Sequence, residues 1–216
     1  VKNNKTFLVV VGVLALIAFA GTMFWSKSTD KAVSSSGPKV DSAILIKEHS
    51  PVKGSKDAKV TIVEFLDPEC EACRAMHPII KTLMGEYDGK IKLVIRYMPL
   101  HGNSRIAALS LEEAREQGKY DEALNTLFER QPEWADHAQP RPEMIPVLLG
   151  QLGISKLTLE SSTLNSKHGW KVDLDQADGE KAGVRFTPTF FVNGEMLNEI
   201  GYGPVKQAID KALAQP

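Results

Sequence analysis

The sequence predicts an α/β domain into which a block of helices is inserted, preceded by an apolar N-terminal segment. Two short runs rich in β-branched and aromatic residues, 58–66 (AKVTIVEFL) and 91–98 (IKLVIRYM), flank a stretch whose apolar residues recur at helical spacing. Near the C-terminus, Asn193-Gly194 between TFFV at 189–192 and the run 195–197 is a strong hairpin signal. Between these two regions, residues 100–186 read as helices throughout.

Residues 7–25 hold 19 positions without a charge, after Lys2 and Lys5 and before Lys27, Asp30 and Lys31. As a helix they would be about 28 Å long, close to the ~30 Å hydrocarbon core of a bilayer, with Trp25 suited to the interface. The segment is expected to be a single-pass signal anchor embedded in the lipid bilayer. The competing reading is a cleaved signal peptide, because Ala18-Phe19-Ala20 is a small-x-small site. The first places the remaining chain on the periplasmic, extracytoplasmic face of the cytoplasmic membrane, and the second leaves it soluble in the periplasm. Residues 26–39 (SKSTDKAVSSSGPK) have the composition of a flexible tether, so 26–57 reads as tether and lead-in and folding is expected from near Val40.

The domain proper is expected over 58–216. Its first strand, 58–66, ends at Asp67-Pro68. Ala72, Met76, Ile79, Ile80 and Leu83 then mark a helix over 69–87, which Pro78 should kink by removing an amide donor. Within the insertion, helices are expected over 104–117, 120–130, 143–152, 156–166 and 171–182, punctuated by Gly118, Pro140, Pro142, Gly153 and Gly169. A last helix follows Gly203, with Pro204 in its first turn.

The 26 Lys and Arg against 27 Asp and Glu leave a formal charge of −1, without the basic excess that phosphate binding requires, so nucleic acid is not an expected partner. Two cysteines are too few for a disulfide-stapled miniprotein or a four-cysteine zinc site. They stand at Cys70 and Cys73, after a buried strand and in the first turn of a helix. A thiolate at a helix N-terminus is stabilised by unsatisfied amides and the helix dipole, so Cys70 should be the nucleophile and Cys73 the resolving thiol. A disulfide over so short a loop adds little stability; its useful property is reversibility.

The run VTIVEFLDPECEAC (60–73), followed much later by FTPTFFVNG (186–194), resembles the DsbA-like branch of the thioredoxin superfamily over about 60–216, including its large helical insertion. The resemblance implies a thioredoxin-like fold and a protein thiol:disulfide oxidoreductase that needs no bound cofactor. It also implies a cis Thr187-Pro188 bond facing the cysteines, with both residues positioning the backbone of a substrate. Glu64, in an otherwise apolar strand, would be the buried acid beneath the disulfide that exchanges a proton with Cys73; an edge strand would instead point it to solvent. Implied partners are exported unfolded or partly folded proteins and a membrane partner that recycles the thiols. Oxidation of those proteins is the favoured direction, with reduction or isomerisation as the alternative.

Some residues depart from that pattern. Glu71-Ala72 inside the motif and Asp67 and Glu69 upstream put three carboxylates near Cys70, which should make its thiol less acidic, and the disulfide less oxidising, than in the strong oxidases of the family. His77, at i+4 from Cys73, raises the alternative of a membrane-tethered copper-binding protein using Cys70, Cys73 and His77, with His101 or His168 brought close. His49 and His137 need no role. Met76, Leu83, Tyr97, Met98, Phe128 and Trp134 read mainly as core, with a peptide groove as the alternative, and Glu112, Glu113 and Glu116 with Arg115 read as a solvated helix face.

Overall fold

A computed structural model describes residues 36–155 and 159–215. The apolar segment 7–25 and most of the expected tether lie outside the described residues; within them, no helix is long and apolar enough to cross a membrane. In chain order the elements are β1 (Ser36–Lys39), α1 (Ser42–Leu45), β2 (Val52–Gly54), β3 (Val60–Leu66), α2 (Glu71–Glu86) and β4 (Ile91–Tyr97). There follow α3 (Ser104–Glu116), α4 (Tyr120–Glu129), α5 (Gln131–Trp134), α6 (Met144–Gly150) and α7 (Ser161–Lys181), then β5 (Thr189–Val192), β6 (Glu195–Leu197) and α8 (Tyr202–Ala214).

The six strands form one sheet in the order β1-β6-β5-β3-β4-β2, with β3 and β4 parallel and every other pair antiparallel. Parallel pairing requires a crossover, which α2 supplies. Covered on both faces, β3 reads as a nearly unbroken apolar run rather than an alternation. Its side chains still divide by the two-residue period. Ile62 and Leu66 join the larger core with α2, α8 and the insertion, whereas Val63 and Phe65 join a smaller core beneath α1 and α7. At the hairpin, Asn193 takes a positive φ of 46° and Gly194 one of 87°, as a two-residue turn of this hand demands.

Several expectations need correction. Folding begins before Val40: β1 lies within the expected tether and pairs with β6, and β2 pairs with β4. The helices expected over 156–166 and 171–182 are one helix, α7, which passes through Gly169 without interruption; residues 156–158 lie outside the described residues. An isolated glycine costs a helix only about 1 kcal/mol, and packing overrides it. Gly179, further along α7, is there for space: a Cβ would stand 3.0 Å from the Phe65 ring and 3.0 Å from the Met98 sulfur.

The acidic face of α3 is not solvated. Because α3 packs on α7, Glu112 and Glu113 are buried, and only Glu116 stays exposed. Glu112 accepts from Arg115 at 2.5 Å, from Lys171 at 2.8 Å and from the Tyr97 hydroxyl at 3.2 Å. Glu113 accepts from Lys167 at 2.8 Å and faces His168 at 3.0 Å. Met76, Leu83, Tyr97, Met98, Phe128 and Trp134 are all buried, which makes them core and removes the groove reading.

On the other face of the sheet, Arg96 is fully buried. It donates to Asp175 at 2.5 Å, to Asp178 at 2.9 Å and to the carbonyls of Ile44 and Leu45 at 2.7 and 2.9 Å, so it ties α1, β4 and α7 together. His49, expected to need no role, meets Asp175 at 2.8 Å.

Candidate active site

Cys70 is the N-cap of α2, with extended φ and ψ of −76° and 124°, and Cys73 lies one turn inside the helix. Asp67 and Pro68 build the turn that leads there. The Asp67 carboxylate accepts from the Glu69 amide at 2.8 Å, and its carbonyl accepts from the Cys70 amide at 3.1 Å. Both cysteines are unbridged thiols; Cys70 is 8% exposed and Cys73 is fully enclosed. The Asp67 amide points at the Cys73 sulfur at 3.5 Å.

Strand β5 pairs directly with β3, Phe65 opposite Thr189, and this brings the segment before β5 beside the thiols. The Thr187-Pro188 bond is cis, as the resemblance implied. The Cys70 thiol donates to the Thr187 carbonyl at 3.3 Å. A carbonyl can only accept, so that contact belongs to the protonated thiol. As a thiolate, Cys70 is held down to about 5, first by the hydrogen bond from Cys73, then, against the burial that pushes it up, by the Thr187 side chain and the backbone amides of Cys73 and Ala72. Cys73 moves the other way: burial pushes it far up, and its bond to Cys70 and the charge of Glu64 add to that. The hydrogen bond between the two thiols and the burial of Cys73 thus separate them into an acidic and a protonated one, with the amides of the helix N-terminus adding to the first.

Glu64 sits on β3 between Ile95 of β4 and Phe190 of β5, so the edge-strand alternative does not hold. It is 6% exposed, and burial pushes it up to about 8, with Lys53 opposing. The carboxyl lines a cavity of about 200 Å³ whose other polar walls are Lys53, His77, Lys81 and Asp121.

The family model described as Thioredoxin matches residues 47–211. The chain belongs to the DsbA-like branch of the thioredoxin family. It is 30% identical over 179 residues to disulfide bond formation protein D of Bacillus subtilis, covering 76% of this chain and 77% of that protein. The crystal structure of oxidised BdbD from Bacillus subtilis superposes with a TM-score of 0.69 at 27% identity, over 77% of this chain and 94% of that one. A Na(+)/H(+) antiporter NhaA of Herminiimonas arsenicoxydans is 29% identical over 197 residues, 87% of this chain, but the chain spans only 30% of that protein's length.

The structure thus brings Cys70, Cys73, Thr187 and Pro188 together, with Glu64 on the strand beside β5. The three-ligand alternative is not assembled. His77 faces Asn125 at 2.7 Å, His101 faces Asp67 and His168 faces Glu113. Among the described residues, the only three potential ligands whose atoms converge are Glu113, Glu116 and His168, neither cysteine among them, and both carboxylates already pair with Lys167.

Sequence reasoning missed what surrounds the motif. Asp67 accepts from the Leu100 amide at 2.8 Å and meets His101 Nδ1 at 2.7 Å. Glu69 accepts from the Asn103 amide at 2.6 Å, its side-chain amide at 3.0 Å and the Ser104 hydroxyl at 3.2 Å. Glu71 meets His137 at 2.9 Å, so this histidine too has a partner. The three carboxylates expected to oppose the thiolate are each occupied by donors, and the Cys70 thiol lies well below its ordinary value, as expected at a helix N-terminus. The loops that supply those donors are more than 30 positions away, and nothing in the local sequence links them to the motif.

Proposed function

We propose that the protein is an extracytoplasmic thiol:disulfide oxidoreductase that exchanges disulfides with exported, unfolded or partly folded proteins through Cys70 and Cys73, acting as an oxidase. The observation that carries this reading is the asymmetry of the pair: an acidic thiol at the helix N-terminus, facing Thr187 beside a cis proline, over a buried partner thiol. A disulfide whose reduced form is stabilised as a thiolate is the more oxidising one. The name of one relative, disulfide bond formation protein D, supports the same reading.

In the oxidised protein, a client thiolate attacks the Cys70 sulfur, the bond to Cys73 breaks, and Cys73 leaves with the electron pair. Glu64, protonated at neutral pH in its apolar setting, gives Cys73 the proton it needs and recovers one from solvent. The client's second thiolate then attacks the client sulfur of the mixed disulfide, and Cys70 departs as the stabilised thiolate. The client's two thiols become a disulfide, two electrons rest on the Cys70/Cys73 pair, one proton is on Cys73 and the other is in solvent. Thr187 and Pro188 hold the client backbone beside Cys70. The dithiol carries the electrons itself, so no cofactor enters. A membrane redox partner withdraws them, and residues 7–25 anchor the domain beside that partner in the bilayer.

Equilibration in glutathione buffers, scored by thiol alkylation, tests the direction. An oxidase should give a potential between about −180 and −120 mV. A value near about −270 mV belongs to a reductase and would overturn the proposed direction.

A further inference from the structure

We propose that His101 is a positioning residue which, when protonated, stabilises the Cys70 thiolate from outside the Cys70–Cys73 motif, and that with His137 it offsets the carboxylates of Asp67, Glu69 and Glu71. The inference rests on reading Cys70 as the reactive thiol.

The geometry runs through Asp67. Its backbone amide faces the Cys73 sulfur at 3.5 Å, while its carboxylate meets the ring of His101 at 2.7 Å and accepts from the Leu100 amide at 2.8 Å. A single residue of the β3–α2 turn thereby fastens the loop after β4 against the thiol pair. On the other side, Glu71, inside the motif, meets His137 at 2.9 Å, and the two histidine rings stand 5.7 Å apart. The charged and titratable groups that face His101 are Asp67, Glu69 and Cys70 from the turn, Glu71 from α2, and His137 from the segment after α5. Burial alone would lower the His101 ring, but the bond and charge of Asp67, with the charges of Cys70 and Glu69, raise it. His101 keeps 31% of its side chain open to water, so it can exchange protons with solvent, whereas Cys70 is largely enclosed.

The chemical consequence is specific. With His101 neutral, the carboxylates of Asp67, Glu69 and Glu71 beside Cys70 lack its opposing charge and disfavour a thiolate. With His101 protonated, a cation stands at the rim and the thiolate is favoured, which makes Cys70 a better leaving group from the mixed disulfide. By reciprocity, a Cys70 thiolate must hold the His101 proton more tightly than the disulfide does, by the same factor. Oxidising strength would then decline as pH rises through the His101 titration.

The variant His101→Gln keeps a hydrogen-bond donor for Asp67 but removes the charge. Thiolate absorbance against pH should place the Cys70 titration about one pH unit higher than in the parent, as expected for losing a nearby opposite charge. The equilibrium constant against glutathione at pH 6 should shift about fivefold towards the less oxidising side, about 20 mV. A Cys70 titration and a constant unchanged within twofold would overturn the proposal. Should the variant fail to fold, the parent alone decides it: the His101 ring, followed by NMR, should titrate higher in the reduced protein than in the oxidised one, and equal values refute the coupling. A parent that shows no thiolate below pH 8 would instead defeat the reading of Cys70 itself, and this inference with it.

Discussion

Glu64→Gln should change stability in a way that depends on pH and on little else. The parent carboxyl has no hydrogen-bond partner among the described residues, and burial raises it from 4.5 to about 8. Below pH 4.5 it is protonated in both the folded and unfolded chain, and its ionisation costs nothing. As pH rises the unfolded chain ionises first, so stability falls until the folded group also ionises near 8. That interval spans 3.5 pH units, and at 1.36 kcal/mol per unit it amounts to about 5 kcal/mol, of which about 3 kcal/mol is already lost at pH 7. The amide of the variant carries its own burial cost of about 1–3 kcal/mol, but that cost is the same at every pH. In denaturant unfolding of the reduced proteins, the variant should therefore gain on the parent by about 3 kcal/mol between pH 4 and pH 7 and by about 5 kcal/mol by pH 9. A stability difference that stays constant from pH 4 to pH 9 would refute a raised, buried Glu64.

Replacing Arg96 by Met leaves Asp175 and Asp178 buried beside a neutral side chain, with Lys47, His49 and Lys181 as the basic side chains that still pair with them among the described residues. Unfolding should be easier by about 3–5 kcal/mol, and a loss below 1 kcal/mol would show that the network is not what joins α1 to α7. Gly179→Ala pushes a methyl to 3.0 Å from Phe65 and Met98, which should cost about 1–3 kcal/mol in the same measurement. A gain in stability, as helix propensity alone would give, would contradict the close approach.

Much of the frame was legible because it is written locally. The β-branched run ending at Leu66, the two cysteines after it and Asn193-Gly194 each carry their conformation in a few neighbouring residues, and the structure places them accordingly. What could not be read depends on partners far along the chain. Glu112 and Glu113 have the spacing of a solvated face, yet Lys171 and His168 on α7 turn them inward. Gly169 looks like a break, but tertiary packing carries α7 through it. The partners of the carboxylates around Cys70 were hidden for the same reason: counting Asp67, Glu69 and Glu71 as bare charges leaves out Leu100, His101, Asn103 and His137, which reach them from distant loops. Position on the sheet was equally hidden, since only the strand order makes β3 central and Glu64 buried.

The central claim is that disulfides pass through Cys70 first. In the Cys73→Ala protein the resolving thiol is gone, so a disulfide-bonded client should become covalently joined to the chain, and peptide mass spectrometry should place the link at Cys70. The complex should vanish on reduction and be absent when Cys70 is replaced instead. A link formed at Cys73 in the Cys70→Ala protein, or no adduct with Cys73→Ala, would contradict the account.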